Sequence, residues 1–332
     1  GSTSGDNVGS KPYAIEAGRL ALERHMASRG VSARAEEALQ PFVYRVRYEL
    51  PEPVPLVSVI IPSRDHADVL RACVGSLFER STYRAFEVIV VENHSVEPET
   101  RDLYGELSEA YGPAFRVLDI SDAVEGFNYS RLINLGAAAA AGEYLLLLNN
   151  DTEVRSPDFM AEMLGYLQRP EVGVVGAKLY FRDGLTQHAG MLVGPHGTVC
   201  HPNQDFESAR EGYLSRAVRP GNFSAVTGAC QMVRKSVFDE VGGYDEAFAV
   251  GFNDVDFCFR VRETGRLVTF TPYAELFHYE FVSRGREAAD AVKLERWKRE
   301  QALFTTRWPE PFLEGDPYSN PNLDPDSVYY GL

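Results

Sequence analysis

The hydrophobic pattern of the chain is dominated by short apolar runs that end abruptly in polar residues. The clearest run is Leu145 to Leu148, followed by Asn149, Asn150 and Asp151. Such a run is typical of a strand buried on both faces in a mostly parallel sheet. Ligands of open sheets bind just beyond the carboxyl ends of the strands. We therefore expect Asp151 at the rim of a crevice, as an oxygen ligand for a divalent cation. The alternative is a turn aspartate after a core strand.

Two further strands with polar ends come earlier in the chain. Residues 57–61 form one apolar run, and residues 86–91 form another that ends in Glu92 and Asn93. Alternation of such strands with helical patterns predicts parallel pairing and right-handed crossovers. The sequence therefore predicts an α/β fold with a mostly parallel, doubly wound sheet and helices on both faces.

Three helix boundaries are expected from capping residues. Asp65 is a candidate N-cap for the apolar stripe that follows it, and Ser156 with Pro157 is expected to start another helix. A helix over about 130–141 is expected to stop at Gly142, a common C-terminal cap.

The order of several short motifs makes the chain resemble an inverting family 2 glycosyltransferase with a GT-A fold. The similarity covers about residues 55–286, and one subgroup that it suggests builds O-antigen, rhamnan or similar bacterial surface polysaccharides. The motifs are Ile60-Ile61-Pro62, Val90-Val91-Glu92-Asn93, Phe127-Asn128-Tyr129-Ser130, Ala140 to Tyr144, Asn149-Asn150-Asp151, Gln187-His188-Ala189-Gly190, Thr227-Gly228-Ala229, Gly242 to Glu246, Asn253 to Asp256, and His278 before Ser283-Arg284-Gly285.

This resemblance implies a general base that deprotonates an acceptor hydroxyl during a single displacement. Asp254 matches the aspartate of the family's Glu-Asp motif, with Asn253 in place of the glutamate. Asp256 is the rival candidate. Without the resemblance, an acidic residue at a helix N-terminus that interacts with the macrodipole explains Asp254 equally well.

The resemblance also implies a divalent cation, Mn2+ or Mg2+, beside the diphosphate of a nucleotide-sugar donor. Asp151 and His278 are the implied metal residues, and Asn149 replaces the first aspartate of the family's Asp-x-Asp motif. A pyrimidine contact through Glu92 suits UDP and dTDP equally. The residues implied on the nucleotide or donor side are Pro62, Ser63, Arg64, Glu92, Asn134, Asn149, Asn150 and Arg284, and those implied for the acceptor or sugar are Gln187, His188, Thr227 and Gly228. Packing, capping or a surface ion pair is the alternative role for several of them.

Composition limits the classes of binding partner and the cellular compartment that we expect for this protein. The formal net charge of −15 over 332 residues argues against a nucleic-acid partner, which requires a basic surface. No apolar stretch approaches the length of a membrane span. The four cysteines have no metal-type or disulfide-type spacing, which fits a cytoplasmic compartment.

Four regions are expected along the chain: a tag or disordered segment over 1–11, a helical extension and linker over 12–54, the catalytic domain over 55–286, and a C-terminal helix with an irregular tail over 287–332. The C-terminal helix contains Lys293, Arg296, Lys298, Arg299 and Arg307, a local reversal of the overall charge, with Trp297 and Trp308 nearby. Such a helix can lie on an anionic membrane surface at the inner face of the plasma membrane. That position would suit the polyprenyl-linked glycan acceptor that the resemblance implies. The alternative is a solvated helix packed on the catalytic domain.

Other functions are open at the level of sequence. A sugar nucleotidyltransferase would require a glycine-rich first loop, and a dinucleotide-binding dehydrogenase would require Gly-x-Gly-x-x-Gly after the first strand; the chain has neither. The substitutions at Asn149 and Asn253 leave open a catalytically degenerate nucleotide- or glycan-binding module. Retention of Asp151 and Asp254 argues against that alternative.

Overall fold

The computed structural model describes residues 12–120, 126–194, 197–280, 291–324 and 327–331. Helices and strands alternate through most of this length. The helices are α1 (Pro12–Ser28), α2 (Ala67–Arg80), α3 (Pro98–Tyr111), α4 (Tyr129–Ala139), α5 (Phe159–Leu167), α6 (Lys235–Glu240), α7 (Asn253–Glu263), α8 (Ala291–Arg307) and α9 (Glu310–Glu314). None of these helices combines the length and apolar character that crossing a bilayer requires, as far as the described residues extend.

The strands form one large sheet and two small hairpins. They are β1 (Ala33–Glu37), β2 (Tyr44–Tyr48), β3 (Val57–Ser63), β4 (Phe86–Glu92), β5 (Phe115–Asp119), β6 (Tyr144–Leu148), β7 (Thr152–Val154), β8 (Val172–Tyr180), β9 (Thr186–His188), β10 (Leu192–Val193), β11 (Val199–Cys200), β12 (Gly221–Asn222), β13 (Cys230–Arg234) and β14 (Leu267–His278). The large sheet has the order β12-β14-β8-β13-β6-β3-β4-β5, with β7 paired to β14 and β9 paired to β8.

The large sheet is mostly parallel around β3. Strand β3 pairs in parallel with β4 on one side and with β6 on the other. Strand β13 is antiparallel to both β6 and β8, so the sheet is mixed. The strand order reverses direction at β3, and a ligand crevice is expected beyond the carboxyl ends of β3 and β6.

The leucine run forms β6 and is buried on both faces of the sheet. Leu145 and Leu147 belong to one hydrophobic cluster, whereas Leu146 and Leu148 belong to the cluster on the opposite face. Successive side chains of a strand point to opposite faces, so an unbroken apolar run is required here. The prediction of a doubly covered strand is confirmed.

The N-terminal extension is only partly helical. Helix α1 ends at Ser28, and β1 and β2 then form an antiparallel hairpin. Arg45 of the hairpin contacts Asp158 at 2.9 Å and Glu162 at 2.7 Å, next to and within α5. The sequence prediction of a helical extension missed this hairpin because its stability depends on contacts with a distant part of the chain.

Gly142 has a different role from the predicted helix cap. Helix α4 ends at Ala139, and Ala140 is already extended. A Cβ atom at Gly142 would lie 2.7 Å from the Leu56 carbonyl oxygen and 2.7 Å from the Ser58 nitrogen. A glycine is therefore needed because the backbone passes close to the start of β3.

The two predicted N-caps are also wrong, since both side chains make longer-range hydrogen bonds. The Asp65 carboxylate accepts hydrogen bonds from the backbone of Val96 and Glu97, at 2.7 and 3.0 Å, and α2 begins at Ala67. Ser156 precedes α5, which begins at Phe159, and its hydroxyl bonds to the backbone of β14. Both residues fix loops beside the sheet.

Candidate active site

A large cavity lies where the polar ends of β3 and β6 meet the start of α7. Its volume is about 790 Å3, which is within the usual range for small-molecule sites. Twelve of the residues predicted from sequence line it. They are Pro62, Ser63, Arg64, Asn149, Asn150, Asp151, Gln187, His188, Thr227, Gly228, Asp254 and His278.

Asp151 and His278 form a close pair on the cavity wall. Both side chains are largely buried, and the Asp151 Oδ1 atom lies 3.2 Å from His278 Nε2. On its other side, His278 Nδ1 lies 2.7 Å from Gln187 Oε1. An amide oxygen only accepts hydrogen bonds, so Nδ1 carries a proton and donates it. When Nε2 carries no proton, its lone pair faces the Asp151 carboxylate.

Two acceptor atoms at this distance require a proton or a cation between them. Two ligands at right angles around a small cation, each about 2.1 Å away, are separated by about 3 Å. The spacing of Asp151 Oδ1 and His278 Nε2 fits this arrangement. Within the described residues, no group of three or more His, Cys, Asp and Glu side chains is arranged to hold a metal. Any remaining ligands would therefore come from water or from a bound phosphate, as is common for Mg2+.

Asn149 orients this pair. Its amide nitrogen lies 3.2 Å from His278 Nε2, and its Oδ1 accepts a hydrogen bond from the Tyr129 hydroxyl at 3.2 Å. The amide oxygen is thus engaged with the protein. Asn149 therefore contacts His278 directly. Its place in the motif did not predict this contact.

Asp254 lies in the first turn of α7 and lines the cavity. Its Oδ2 atom accepts a 2.7 Å hydrogen bond from the Gly228 backbone nitrogen. A Cβ atom at Gly228 would lie 3.2 Å from the Cβ atom of Asp254, so the glycine permits this close approach. A carboxylate has about four lone-pair sites and can accept a further hydroxyl proton.

Asp256 is not on the cavity wall. It is fully buried and accepts hydrogen bonds from Arg260 at 2.8 Å, Arg307 at 2.9 Å and the Trp308 indole at 3.0 Å. The prediction of Asp256 as a rival base is therefore wrong. Two residues apart on a helix, Asp254 and Asp256 point in different directions.

Two residues predicted to contact the donor, Glu92 and Asn134, do not line the cavity, and a third lies outside the described residues. The oxygens of Glu92 bond to the backbone and hydroxyl of Ser95 and to the hydroxyl of Tyr104, so this side chain is satisfied inside the protein. Asn134 holds the backbone of Tyr244 through two 2.8 Å hydrogen bonds. Arg284 lies outside the described residues.

A pair of neutral histidines lines another part of the cavity. The Gly190 nitrogen donates to His188 Nε2, so the His188 proton is on Nδ1, 3.0 Å from His201 Nδ1. His201 then carries its own proton on Nε2. Burial lowers the pKa of His188 well below its ordinary value and lowers the pKa of His201 to about 4. Both rings are uncharged at neutral pH.

The C-terminal helix contributes cavity residues that the sequence patterns did not assign to the site. Glu300 of α8 is buried and accepts hydrogen bonds from the backbone nitrogens of Val250 at 3.2 Å and Gly251 at 2.8 Å. The local reversal of charge and the nearby tryptophans were the sequence signals on this helix. The wall residues that the sequence analysis missed include Asp65, His66, Phe127, Tyr129, His201, Gln204, Glu280, Lys293, Arg296, Trp297 and Glu300.

A family model described as "Glycosyl transferase family 2" matches residues 58–242. An uncharacterized protein of Sinorhizobium fredii, y4gI, is 44% identical over 97% of this chain and 35% of its own length. The O-antigen biosynthesis protein RfbC of Myxococcus xanthus is 39% identical over 96% of this chain and 24% of its own length. The chain thus spans about a third or less of these two relatives.

A further relative covers less of the chain. The N-acetylglucosaminyl-diphospho-decaprenol L-rhamnosyltransferase of Mycobacterium tuberculosis is 36% identical over 44% of this chain and 50% of its own length.

Among solved structures, a mannosyltransferase of Pyrobaculum calidifontis in complex with GDP-Man and Mn2+ matches with a TM-score of 0.56 and 16% identity. The match covers 92% of this chain and 78% of that one. At this identity the likeness concerns the fold alone, and the predicted GT-A fold is confirmed.

Proposed function

Because the chain belongs to glycosyl transferase family 2, we propose that it transfers a sugar from a UDP- or dTDP-sugar to a hydroxyl of a growing bacterial surface glycan. The transfer is a direct displacement with inversion at the anomeric carbon. The observation that carries the proposal is that Asp254 and the Asp151–His278 pair line one cavity. The names of the relatives from Myxococcus xanthus and Mycobacterium tuberculosis support a surface glycan as the product.

Asp254 is the proposed general base. Its carboxylate removes the proton of the acceptor hydroxyl while the oxygen attacks the anomeric carbon from the face opposite the nucleotide. The hydrogen bonds from the backbone nitrogens of Gly228 and Val255 support this role because they fix both oxygens, which keep further lone-pair sites for a hydroxyl proton. No protein nucleophile is needed, because the reaction is a single displacement.

The donor diphosphate is proposed to bind beside Asp151 and His278. These two residues would hold a divalent cation, which neutralises charge on the departing nucleoside diphosphate. The Mn2+ in the Pyrobaculum calidifontis complex supports a cation in general. Pro62, Ser63 and Arg64 line the cavity after β3 and are proposed to contact the nucleotide. Gln187 and His188 are proposed to contact the sugar.

The test is the substitution Asp254→Asn, which keeps the size of the side chain and removes its basicity. Loss of a positioned base should lower kcat by roughly 100- to 10,000-fold. Binding of UDP- and dTDP-sugars, measured by calorimetry with and without Mn2+, should remain close to that of the unmodified chain. Near-normal transfer by this variant would contradict the assignment.

A further inference from the structure

We propose that Lys293 and Arg296 of α8 form an anion-binding subsite that recognises a phosphate or carboxylate group carried by the acceptor. This inference rests on the proposed function and specifies the chemical class of the acceptor. It gives the C-terminal helix a role in selecting substrate.

Lys293 and Arg296 line the cavity, whereas the basic residues that follow them on the same helix do not. Lys293 and Arg296 are half-buried, one turn apart, and both line the cavity wall. Residues three apart on a helix lie on the same face. Lys298 and Arg299 are exposed, and Lys298 pairs with Glu295 at 2.9 Å. Lys293 and Arg296 therefore form a basic edge of α8 on the cavity wall, whereas Lys298 and Arg299 do not line the cavity.

This basic edge borders the loop that leads to the proposed base. Glu300 holds the backbone of Val250 and Gly251, and the Trp297 ring lies 5.8 Å from the Phe252 ring. Asp254 follows two residues after Phe252. The base must contact the acceptor hydroxyl, so the groups beside this loop are on the acceptor side. The donor diphosphate belongs with Asp151 and His278, at the ends of β6 and β14.

The charges near the base explain why an anionic acceptor requires these residues. The chain has a net charge of −15, and Asp254 and Glu300 are both acids of this wall. An anionic acceptor would be repelled there unless cations reversed the local potential. Arg296 Nε is 3.9 Å from Oε2 of Glu300, the acid that holds the backbone of Val250 and Gly251. Lysine and arginine at this spacing can both donate to one phosphate or carboxylate.

The two cations and the neighbouring tryptophan could together bind an acceptor in which a sugar ring lies next to an acidic group. Trp297 is half-buried and lines the same wall. An aromatic ring offers an apolar face against which the face of a sugar ring can pack. The acidic group has two chemical sources, a diphosphate that links the glycan to a lipid or a uronate within the glycan.

The experiment compares Lys293→Gln/Arg296→Gln with the matched control Lys298→Gln/Arg299→Gln. Transfer is measured to three synthetic acceptors: a short-chain alkyl diphosphate-linked sugar, a uronate-containing oligosaccharide and a neutral alkyl glycoside. Loss of two charge-assisted contacts should lower kcat/KM for an anionic acceptor, relative to the neutral one, by about 100-fold. The control should keep the ratio of the unmodified chain. Loss with the diphosphate or with the uronate acceptor identifies the source.

An unchanged ratio of anionic to neutral acceptor would overturn the inference. So would a rise in donor KM of the same size as the effect on the acceptor, because the cations would then serve the donor diphosphate. Donor hydrolysis by the unmodified chain without acceptor is measured separately. Absence of hydrolysis with both UDP- and dTDP-sugars, together with absence of transfer, would overturn the proposed function and this inference with it.

Discussion

At the scale of single residues, Asn149 is the most informative departure from the family's motif. An aspartate at this position would add a negative charge next to the Asp151–His278 pair. The asparagine amide nitrogen lies 3.2 Å from His278 Nε2, a contact that a cation bound to Nε2 would replace, and its oxygen accepts a hydrogen bond from Tyr129. It therefore positions the histidine without increasing the charge of the site.

We expect Asn149→Asp to bind Mn2+ more tightly, by about tenfold or more. A unit charge about 4 Å from a cation contributes roughly 1–4 kcal/mol, depending on solvent exposure. The measurement is calorimetric titration with Mn2+ in the presence of a nucleoside diphosphate. Asn150→Asp is the matched control, because Asn150 lines the same cavity but bonds to Ser63 Oγ at 3.3 Å. Equal gains in both variants would contradict a metal position beside His278.

His201 makes the stability of the protein depend on pH. Its folded pKa of about 4 lies below the ordinary value of 6.5, so the unfolded chain binds a proton more readily. Stability from this group is complete above about pH 6.5 and is lost as pH falls toward 4. Between pH 7 and pH 5 the loss for this single group is about 2 kcal/mol.

We expect His201→Gln to reduce the loss of stability between pH 7 and pH 5 by about this amount. Glutamine can still accept the hydrogen bond from His188. The measurement is urea unfolding at the two pH values, and His25→Gln is the control because His25 is exposed on α1. The same pH dependence in all three proteins would show that His201 is not buried in the neutral form.

At the scale of elements, α8 contacts both α7 and the loop before it. Glu300 holds the loop before α7 through Val250 and Gly251, and Arg307 reaches the buried Asp256 of α7. Phe304 packs against Phe252, with ring centroids 5.4 Å apart. The position of the proposed base therefore depends on a helix that begins after residue 290.

We expect Glu300→Gln to lower kcat at least tenfold. One side of the glutamine amide can only donate, so one of the two backbone nitrogens loses its acceptor and the loop before Asp254 shifts. An unsatisfied buried donor costs about 1–3 kcal/mol. Steady-state kinetics and thermal unfolding are measured together, with the exposed Glu295→Gln as control. A lower Tm with unchanged kcat would indicate that Glu300 stabilises the fold without positioning the base.

The sequence predicted those elements whose pattern is local. The leucine strand follows from a short apolar run bounded by polar residues. Short-range patterns did not predict three other features: the need for a glycine at 142, the hairpin over 33–48 and the burial of Asp256. Each of these depends on residues far away in the chain. The cavity shows the same division. Polar strand ends indicated Asp151, whereas Glu300 and His201 enter the site only through tertiary packing.

At the scale of the whole molecule, the site extends beyond the matched family segment. Residues 58–242 match the family model, yet Asp254, His278 and Arg296 line the same cavity as Ser63. Phe304 belongs to the same hydrophobic cluster as the leucine strand. The predicted boundary after residue 286 thus falls between parts of the chain that share one core.

The distribution of cations on α8 determines our expectation for membrane binding. Of the described basic residues on this helix, Lys293 and Arg296 face the cavity and Arg307 pairs with Asp245 at 2.7 Å and Asp256 at 2.9 Å. Lys298 and Arg299 remain exposed. Each exposed cation contributes about 1 kcal/mol on an anionic membrane. The overall charge of −15 opposes that attraction at low salt, where screening is weak.

We therefore expect this chain to stay in the supernatant when it is sedimented with liposomes rich in anionic lipid, at both low and physiological salt. Lys298→Glu/Arg299→Glu should sediment no differently, because these two cations are too few to hold a protein of this charge at the surface. Neutral liposomes are the control for trapping. Binding at low salt that the double charge reversal abolishes would contradict the expectation. It would show that α8 contacts the membrane through Lys298 and Arg299.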